Sequence, residues 1–217
     1  MNEIILLTIT TSIGNFDIEL YQKEAPITAN NFVEYVEQNF YENTLFHRVI
    51  PGFVIQGGGF EIGMSPKETN PPIKNEADNG LKNDKYTLSM ARTQDLDSAT
   101  SQFFINLTDN KSLDYPSMGG YAVFGKVISG EEIIDKIAEV RTTNVGPYQD
   151  VPVEDVYIIK VEKKYGKNDQ LLDNIIIHRK TNDKKNRIVI KSENGELKSE
   201  TTDATLQLVL FNGYRYE

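Results

Sequence analysis

The sequence predicts a mainly β fold: a closed antiparallel barrel capped by two helices, followed by a small all-β C-terminal segment. Three observations point there. Short runs of β-branched and aromatic residues recur along the whole chain, with turn residues between them. Only two stretches carry apolar residues at helical spacing. Near Gly166 the charge balance breaks: residues 1–165 hold fourteen basic and twenty-four acidic side chains, residues 166–217 nine and eight. Two pieces, 1–165 and 166–217, are therefore expected.

Residues 4–10 (IILLTIT) and 16–21 (FDIELY) read as strands, the second alternating Phe16, Ile18 and Leu20 against Asp17 and Glu19, with Gly14-Asn15 between them as hairpin chemistry. Pro26 suits a first helical turn, and Phe32, Val33, Val36 and Phe40 recur at helical spacing, so a helix is predicted from about 26 to 38. Residues 46–60, FHRVIPGFVIQGGGF, follow as a strand-like run. Alternation sets Phe53 and Ile55 on one face and Val54 and Gln56 on the other; Pro51-Gly52 bends the chain ahead of them, and Gly57 to Gly59 admit close backbone approach.

Residues 61–85, with Pro66, Pro71, Pro72 and Asn79-Gly80, read as one long loop, functional or mobile by its length. YTLSMAR (86–92), SQFFINL (101–107), YAVFGKVI (121–128) and VEDVYIIKVE (153–162) are further strands, with Phe103 and Phe104 on opposite faces and Phe103 the inward one. After Gly130, the residues Ile133, Ile134, Ile137 and Val140 mark the buried stripe of a second helix. In the tail, IIIHR, RIVIK, TLQLVLF and YRYE read as strands joined by TNDKKN, SENGE and FNG. So small a piece is expected to lean on the front domain, on a second copy or on further sequence.

Composition excludes several functions. With 39% hydrophobic and 25% charged residues, and no apolar run near the ~20 residues of a spanning helix, the chain reads as soluble, without membrane insertion. A net charge of −9 argues against nucleic acid as a partner. No cysteine is present, which removes thiol catalysis and Cys-ligated metals. Glu3 stands where a secretory signal carries Lys or Arg, so a cytoplasmic location is expected. His47 and His178 are too far apart for a ligand set, and no metal site is expected. His47 reads as a histidine fixed by hydrogen bonds within the barrel, and His178 as a strand-face residue. No Gly-Lys-Ser/Thr follows the three glycines, so they are not a phosphate loop.

Arg48 is the chemically informative residue. A guanidinium beside an apolar slot is costly unless something polar binds there. The ordinary alternative is an arginine paired with a surface carboxylate next to a core strand.

FHRVIPGFVIQGG, preceded by NFYENTLFHRV and followed in order by MAR, SQFFINL, LDY and GYAVFGKVISG, resembles the cyclophilin family of peptidyl-prolyl isomerases across the whole of residues 1–165. GYAVFGKV and NVGPYQDVPV are similar to its bacterial branch. The resemblance implies an eight-stranded barrel and a cofactor-free enzyme, a folding helper or chaperone that speeds cis–trans rotation at X-Pro bonds in unfolded or flexible chains. It implies Arg48 as the catalytic cation, Gln56 as a substrate-orienting amide and Phe53, Val54, Phe104, Leu113 and Tyr121 as the proline pocket. Ala91 and Arg92 would supply backbone contacts along the bound peptide, and Gln102 would brace the network. Val54 stands where many relatives have Met. Ser112 stands where eukaryotic members carry Trp, which implies weak cyclosporin binding, and Tyr86 replaces a usual Gly.

In the tail, LLDNIIIHR, ENGELKSE and LQLVLFNGYRYE are similar to the β-rich periplasmic region of the permease subunits of lipopolysaccharide exporters, whose transmembrane helices have no counterpart here. That would place the chain on the periplasmic side. A second reading of the whole follows: a proline-binding scaffold with the tail as a docking or envelope-transport fragment.

Overall fold

The computed structural model describes residues 5–164 and, beyond them, 170–180, 187–200, 205–211 and 214–216. The chain divides into two units, Met1–Lys164 and Tyr165–Glu217. In the first, the elements run β1 (Ile5–Thr11), β2 (Asn15–Leu20), α1 (Pro26–Glu37), β3 (Arg48–Ile50), β4 (Val54–Gly57), β5 (Thr87–Met90), β6 (Phe103–Asn106), β7 (Val123–Ser129), α2 (Glu131–Ala138), β8 (Thr142–Val145), β9 (Tyr148–Pro152) and β10 (Ile158–Lys163).

Eight of these strands form one curled antiparallel sheet in the order β10-β1-β2-β7-β5-β6-β4-β3. Its outermost strands, β10 and β3, share no ladder. Instead the chain ahead of β3 crosses to the chain entering β10, with Phe46 N–H donating to Val156 (2.8 Å) and Ile158 N–H to Thr44 (2.8 Å). The closed barrel of the sequence reading is therefore a curled sheet with a stitched seam. β8 and β9 pair separately as a hairpin. Residues 142–152 lack the alternating pattern of a half-buried strand, so they were not legible as one, and the last strand begins at Ile158, later than the expected 153.

Strand alternation fills the interior. Leu7, Ile9, Phe16, Ile18, Val49, Ile55, Leu88, Phe103, Ile105 and Phe124 are buried in one cluster with Phe32 of α1 and Ile134 and Ile137 of α2. Phe32 is its hub, with ring centroids 4.8 Å from Tyr41, 5.4 Å from Phe103 and 5.3 Å from Phe124. Such pairs add about 0.5–1.5 kcal/mol each beyond the area they bury.

Helix α1 begins without a cap of its own. Ala25 at the N-cap has no side-chain acceptor, and no acidic residue stands in the first turn. The acceptor comes from the long loop: the Glu76 carboxylate takes Ile27 N–H (3.1 Å), Thr28 N–H (2.8 Å) and the Thr28 hydroxyl (2.7 Å). Other side chains of the loop also bind backbone. Lys67 donates to the Phe40 carbonyl (2.6 Å) and Asn79 to Val123 (2.9 Å), while Asn70 N–H donates to the Tyr35 hydroxyl (3.0 Å). Residues 61–85 are thus irregular but stapled at many points.

Tyr86 adopts φ +68°, the left-handed region in which glycine is at ease. Its hydroxyl lies 3.0 Å from the Asp135 carboxylate and the Lys85 ammonium lies 4.4 Å from its ring centroid, contacts a glycine could not make.

In the second unit, β11 (Gln170–Lys180), β12 (Arg187–Glu200) and β13 (Thr205–Phe211) form an antiparallel sheet, with β14 (Tyr214–Tyr216) also on β12. β12 runs straight through SENGE, read above as a turn. Ser192 pairs with Ile175 and Gly195 with Leu172, so ladder pairing overrides the local turn composition. TNDKKN and the side chain of His178 lie outside the described residues. No helix among the described residues is long and apolar enough to cross a membrane.

Replacing the Glu76 carboxylate removes the acceptor at the start of α1. Glu76→Ala is expected to cost about 1–2 kcal/mol, the scale of a lost N-cap plus a charge at the helix dipole, read as a lower urea midpoint at unchanged slope. A loss within the scatter of ordinary surface substitutions means that the helix start is satisfied in some other way.

Candidate active site

The register of three strands builds the site. Arg48 on β3 pairs with Gln56 on β4, and Gln56 pairs with Phe104 on β6. Paired residues of antiparallel strands share a face, so these three stand in a row on the outer side of the sheet. The next row, Val49, Ile55, Ile105 and Leu88, lies in the core. One face therefore packs the interior while the other builds a notch, in which Val54, Phe104 and Leu113 are buried with Phe53, Ala91 and Tyr121 against them.

This notch is a cavity of about 150 Å³ lined by Arg48, Phe53, Val54, Gln56, Ala91, Arg92, Phe104, Leu113 and Tyr121. Nine of the ten residues singled out in the sequence thus meet around one space. The tenth, Gln102, stands behind it and accepts a hydrogen bond from the Gln56 amide (2.9 Å). Gly59 makes room for this pair: a Cβ there would lie 2.4 Å from Gln102 Cγ.

Phe53 corrects the alternation argument. It does not share the face of Ile55, because it lies in the turn before β4, where period two has not begun. Gly52 at φ +71° makes the turn; Phe53 N–H donates to Ile50 (3.0 Å), and the Phe53 carbonyl accepts from Leu107 N–H (2.9 Å) and the Asn110 amide (2.9 Å).

The Arg92 side chain and the Ala91 N–H are both engaged within the protein. The Arg92 guanidinium donates to the carbonyls of Met118 (2.6 Å), Gly120 (2.9 Å) and Thr93 (2.9 Å), and lies 4.4 Å from the Tyr121 ring centroid. It braces the Tyr121 wall. Ala91 N–H is bonded to the Gln102 carbonyl (3.0 Å), so it cannot donate to a bound peptide.

The sequence reading missed a set of polar side chains beneath the notch. Asn110 donates to Asn106 (2.8 Å), Asn106 to the Thr87 hydroxyl (3.0 Å), Ser89 to Asn83 (2.8 Å), and Asn83 N–H to Asp114 (2.8 Å). Asn83, Ser89, Asn106 and Asn110 are all buried. One signal was present, an asparagine inside the strand FFIN, where that residue is disfavoured unless its amide is engaged.

Arg48 keeps its cation at the rim. Its side chain is 43% exposed, and Nε lies 3.9 Å from Oδ2 of Asp150 on β9. Both readings of this arginine therefore hold at once: it faces an apolar slot and it has a carboxylate neighbour. Its neighbour His47 is buried and packs on Phe60 (centroids 4.6 Å), which packs on Tyr148 (5.1 Å). His47 Nδ1 has no hydrogen-bond partner within normal distance, and the ring is packed against Phe60. Burial pushes its pKa down to about 4; a backbone hydrogen bond at Leu45 opposes this, and the Arg48 charge adds to it.

A guanidinium and a braced amide at the mouth of an apolar slot suit a ligand with a compact apolar ring next to an amide, and fold and site together are those of a proline isomerase domain. The chain belongs to the cyclophilin type peptidyl-prolyl cis-trans isomerase family, whose model matches residues 6–163. It is 57% identical over 159 residues to peptidyl-prolyl cis-trans isomerase A of Dickeya dadantii, covering 72% of this chain and 84% of that protein. It is 51% identical over 160 residues to peptidyl-prolyl cis-trans isomerase B of Escherichia coli, covering 72% of this chain and 98% of that protein. A crystal structure of a cyclophilin type isomerase of Cryptosporidium parvum, in the presence of the dipeptide Ala-Pro, superposes with a TM-score of 0.63 at 27% identity, covering 74% of this chain and 99% of that one.

The His47 environment makes stability depend on pH. Folded, the ring titrates near 4; unfolded, near its ordinary 6.5. Between those values the unfolded chain holds a proton that the folded chain does not. Stability is therefore expected to fall as pH drops from 6.5 to about 4, by roughly 3 kcal/mol, with no further loss from this group below that. Urea titrations at pH 7, 5.5 and 4 read the slope, and His47→Phe should flatten it. An unchanged slope in that variant assigns the effect to other groups.

Proposed function

We propose that this chain is a peptidyl-prolyl cis-trans isomerase that acts on proline segments of unfolded or flexible polypeptides, with Arg48 as the group that eases the bond round. One observation carries the reading: Arg48, Gln56 and Phe104 stand in register across three strands and line a single cavity, with Phe104 in its buried apolar wall and Arg48 at its rim.

The chemistry is modest in scale. An X-Pro bond rotates over a barrier of ~18–20 kcal/mol, and an ordinary enzymatic turnover requires about 4–7 kcal/mol less. Rotation moves no proton and breaks no σ bond, so it requires neither nucleophile nor general base. His47, buried and neutral at pH 7, has no step to perform.

Resonance keeps the amide planar; as the bond twists, the proline nitrogen regains its lone pair. A guanidinium N–H aimed at that lone pair stabilises the twisted state more than the planar one. A charge-assisted hydrogen bond supplies about 1.5–3 kcal/mol of the reduction. Phe53, Val54, Phe104, Leu113 and Tyr121 grip the ring, so that rotation occurs about one bond only, and Gln56, held by Gln102, orients the carbonyl on the far side of it. Ser112, in place of a tryptophan, belongs with weak cyclosporin binding in this reading.

Arg48→Ala is expected to lower kcat/KM on an X-Pro peptide by about a hundredfold while circular dichroism and Tm stay unchanged, since the side chain is half exposed. Near-normal turnover in that variant overturns the mechanism. The 160 residues matched in the Escherichia coli relative are 98% of it, so the activity is assigned to residues 1–165. A chain ending at residue 165 should turn over as fast as the full chain, and loss of the rate on truncation overturns that assignment.

A further inference from the structure

The hairpin β8–β9 places one more charged group beside Arg48. It pairs Thr143 with Val151 and Val145 with Tyr148. On β8 a single residue, Asn144, separates these partners, whereas on β9 Gln149 and Asp150 both do, so β9 carries a bulge with one extra residue. Asp150 sits in that bulge at φ +58°, the left-handed region that Asp and Asn enter more readily than other side-chain-bearing residues. Bulges re-aim side chains, and this one leaves the Asp150 carboxylate 3.9 Å from Arg48. No other carboxylate among the described residues comes within ion-pair distance of Arg48.

The approach is from Nε to Oδ2 at 3.9 Å, an ion pair beyond hydrogen-bond reach. The hairpin itself is seated by the Tyr148 ring on Phe60, which also packs on His47, the residue next to Arg48. The carboxylate and the cation thus hang from one stack of rings. With side chains 43% and 41% exposed, the pair contributes little to stability, because water screens it.

We infer that Asp150 is a positioning residue for the isomerisation: presented by the β9 bulge, its carboxylate biases the Arg48 guanidinium by charge toward one orientation at the mouth of the proline cavity. This rests on the isomerase reading above. A preset donor loses less freedom as the twisted amide forms, which raises kcat rather than ground-state affinity.

The test uses the full chain with Asp150→Asn, which keeps the side-chain shape, tolerates the left-handed backbone and removes only the charge. The expected result is a kcat on an X-Pro peptide lower by roughly two- to fivefold, with KM and Tm unchanged. Raising the salt toward about 1 M should bring wild-type kcat down toward that of the variant and leave the variant unmoved. In an Arg48→Ala background the same substitution should change nothing. A purely structural role moves Tm and is indifferent to Arg48. If the wild type is active and Asp150→Asn equals or exceeds it, or if its loss appears in Tm or persists without Arg48, the positioning role is overturned and the isomerase reading stands. A wild-type chain that fails to accelerate the peptide overturns both.

Discussion

Side chains on a strand alternate between faces, and β3, β4 and β6 use that alternation twice. One row, Val49, Ile55 and Ile105, goes to the core, and the row beside it, Arg48, Gln56 and Phe104, goes to the notch. A slip of one residue in this register would place a guanidinium among phenylalanines and three aliphatic side chains in the cavity, so core packing itself fixes the geometry of the site. The Phe32 hub weighs against any such slip. It touches Phe103, the neighbour of Phe104 in sequence but not in face.

The far wall of the notch is not strand, and another device holds it. Asn83, Asn106 and Asn110 join the Phe53 turn and the Asp114 segment through side-chain amides, each able to donate and accept at once, and the Asn83 backbone N–H adds a second bond to Asp114. Arg92 does the same on the other side by binding carbonyls around Tyr121. Loops that would otherwise drift are thereby given the precision of sheet. The cost is a set of buried polar groups that must all be satisfied together.

Much of this was legible in the residues. Alternation separates Phe103 from Phe104, the spacing from Phe32 to Val36 marks α1, and the motif around Arg48 supplies four residues of the cavity lining, Arg48, Phe53, Val54 and Gln56, the other five coming from later motifs through the family resemblance. What escaped has a common physical cause, since it depends on partners distant in sequence. Phe53 follows its turn rather than the strand after it. SENGE carries turn residues but is paired on both sides, Asn194 with Asp173 and with Phe211. The staples of the long loop and the neighbourhood of Arg48 and Asp150 join residues tens of positions apart, and no local pattern announces them.

The cap of α1 shows what such distance implies for assembly. Twelve residues without an acceptor of their own make a marginal helix in water, and the carboxylate that completes it arrives from 48 residues downstream. That contribution to the first turn of α1 is made only once a large loop has closed, against the entropy that closure costs. In a nascent chain this increment of helix stability arrives only after residue 76 has been made, well after the helix it completes.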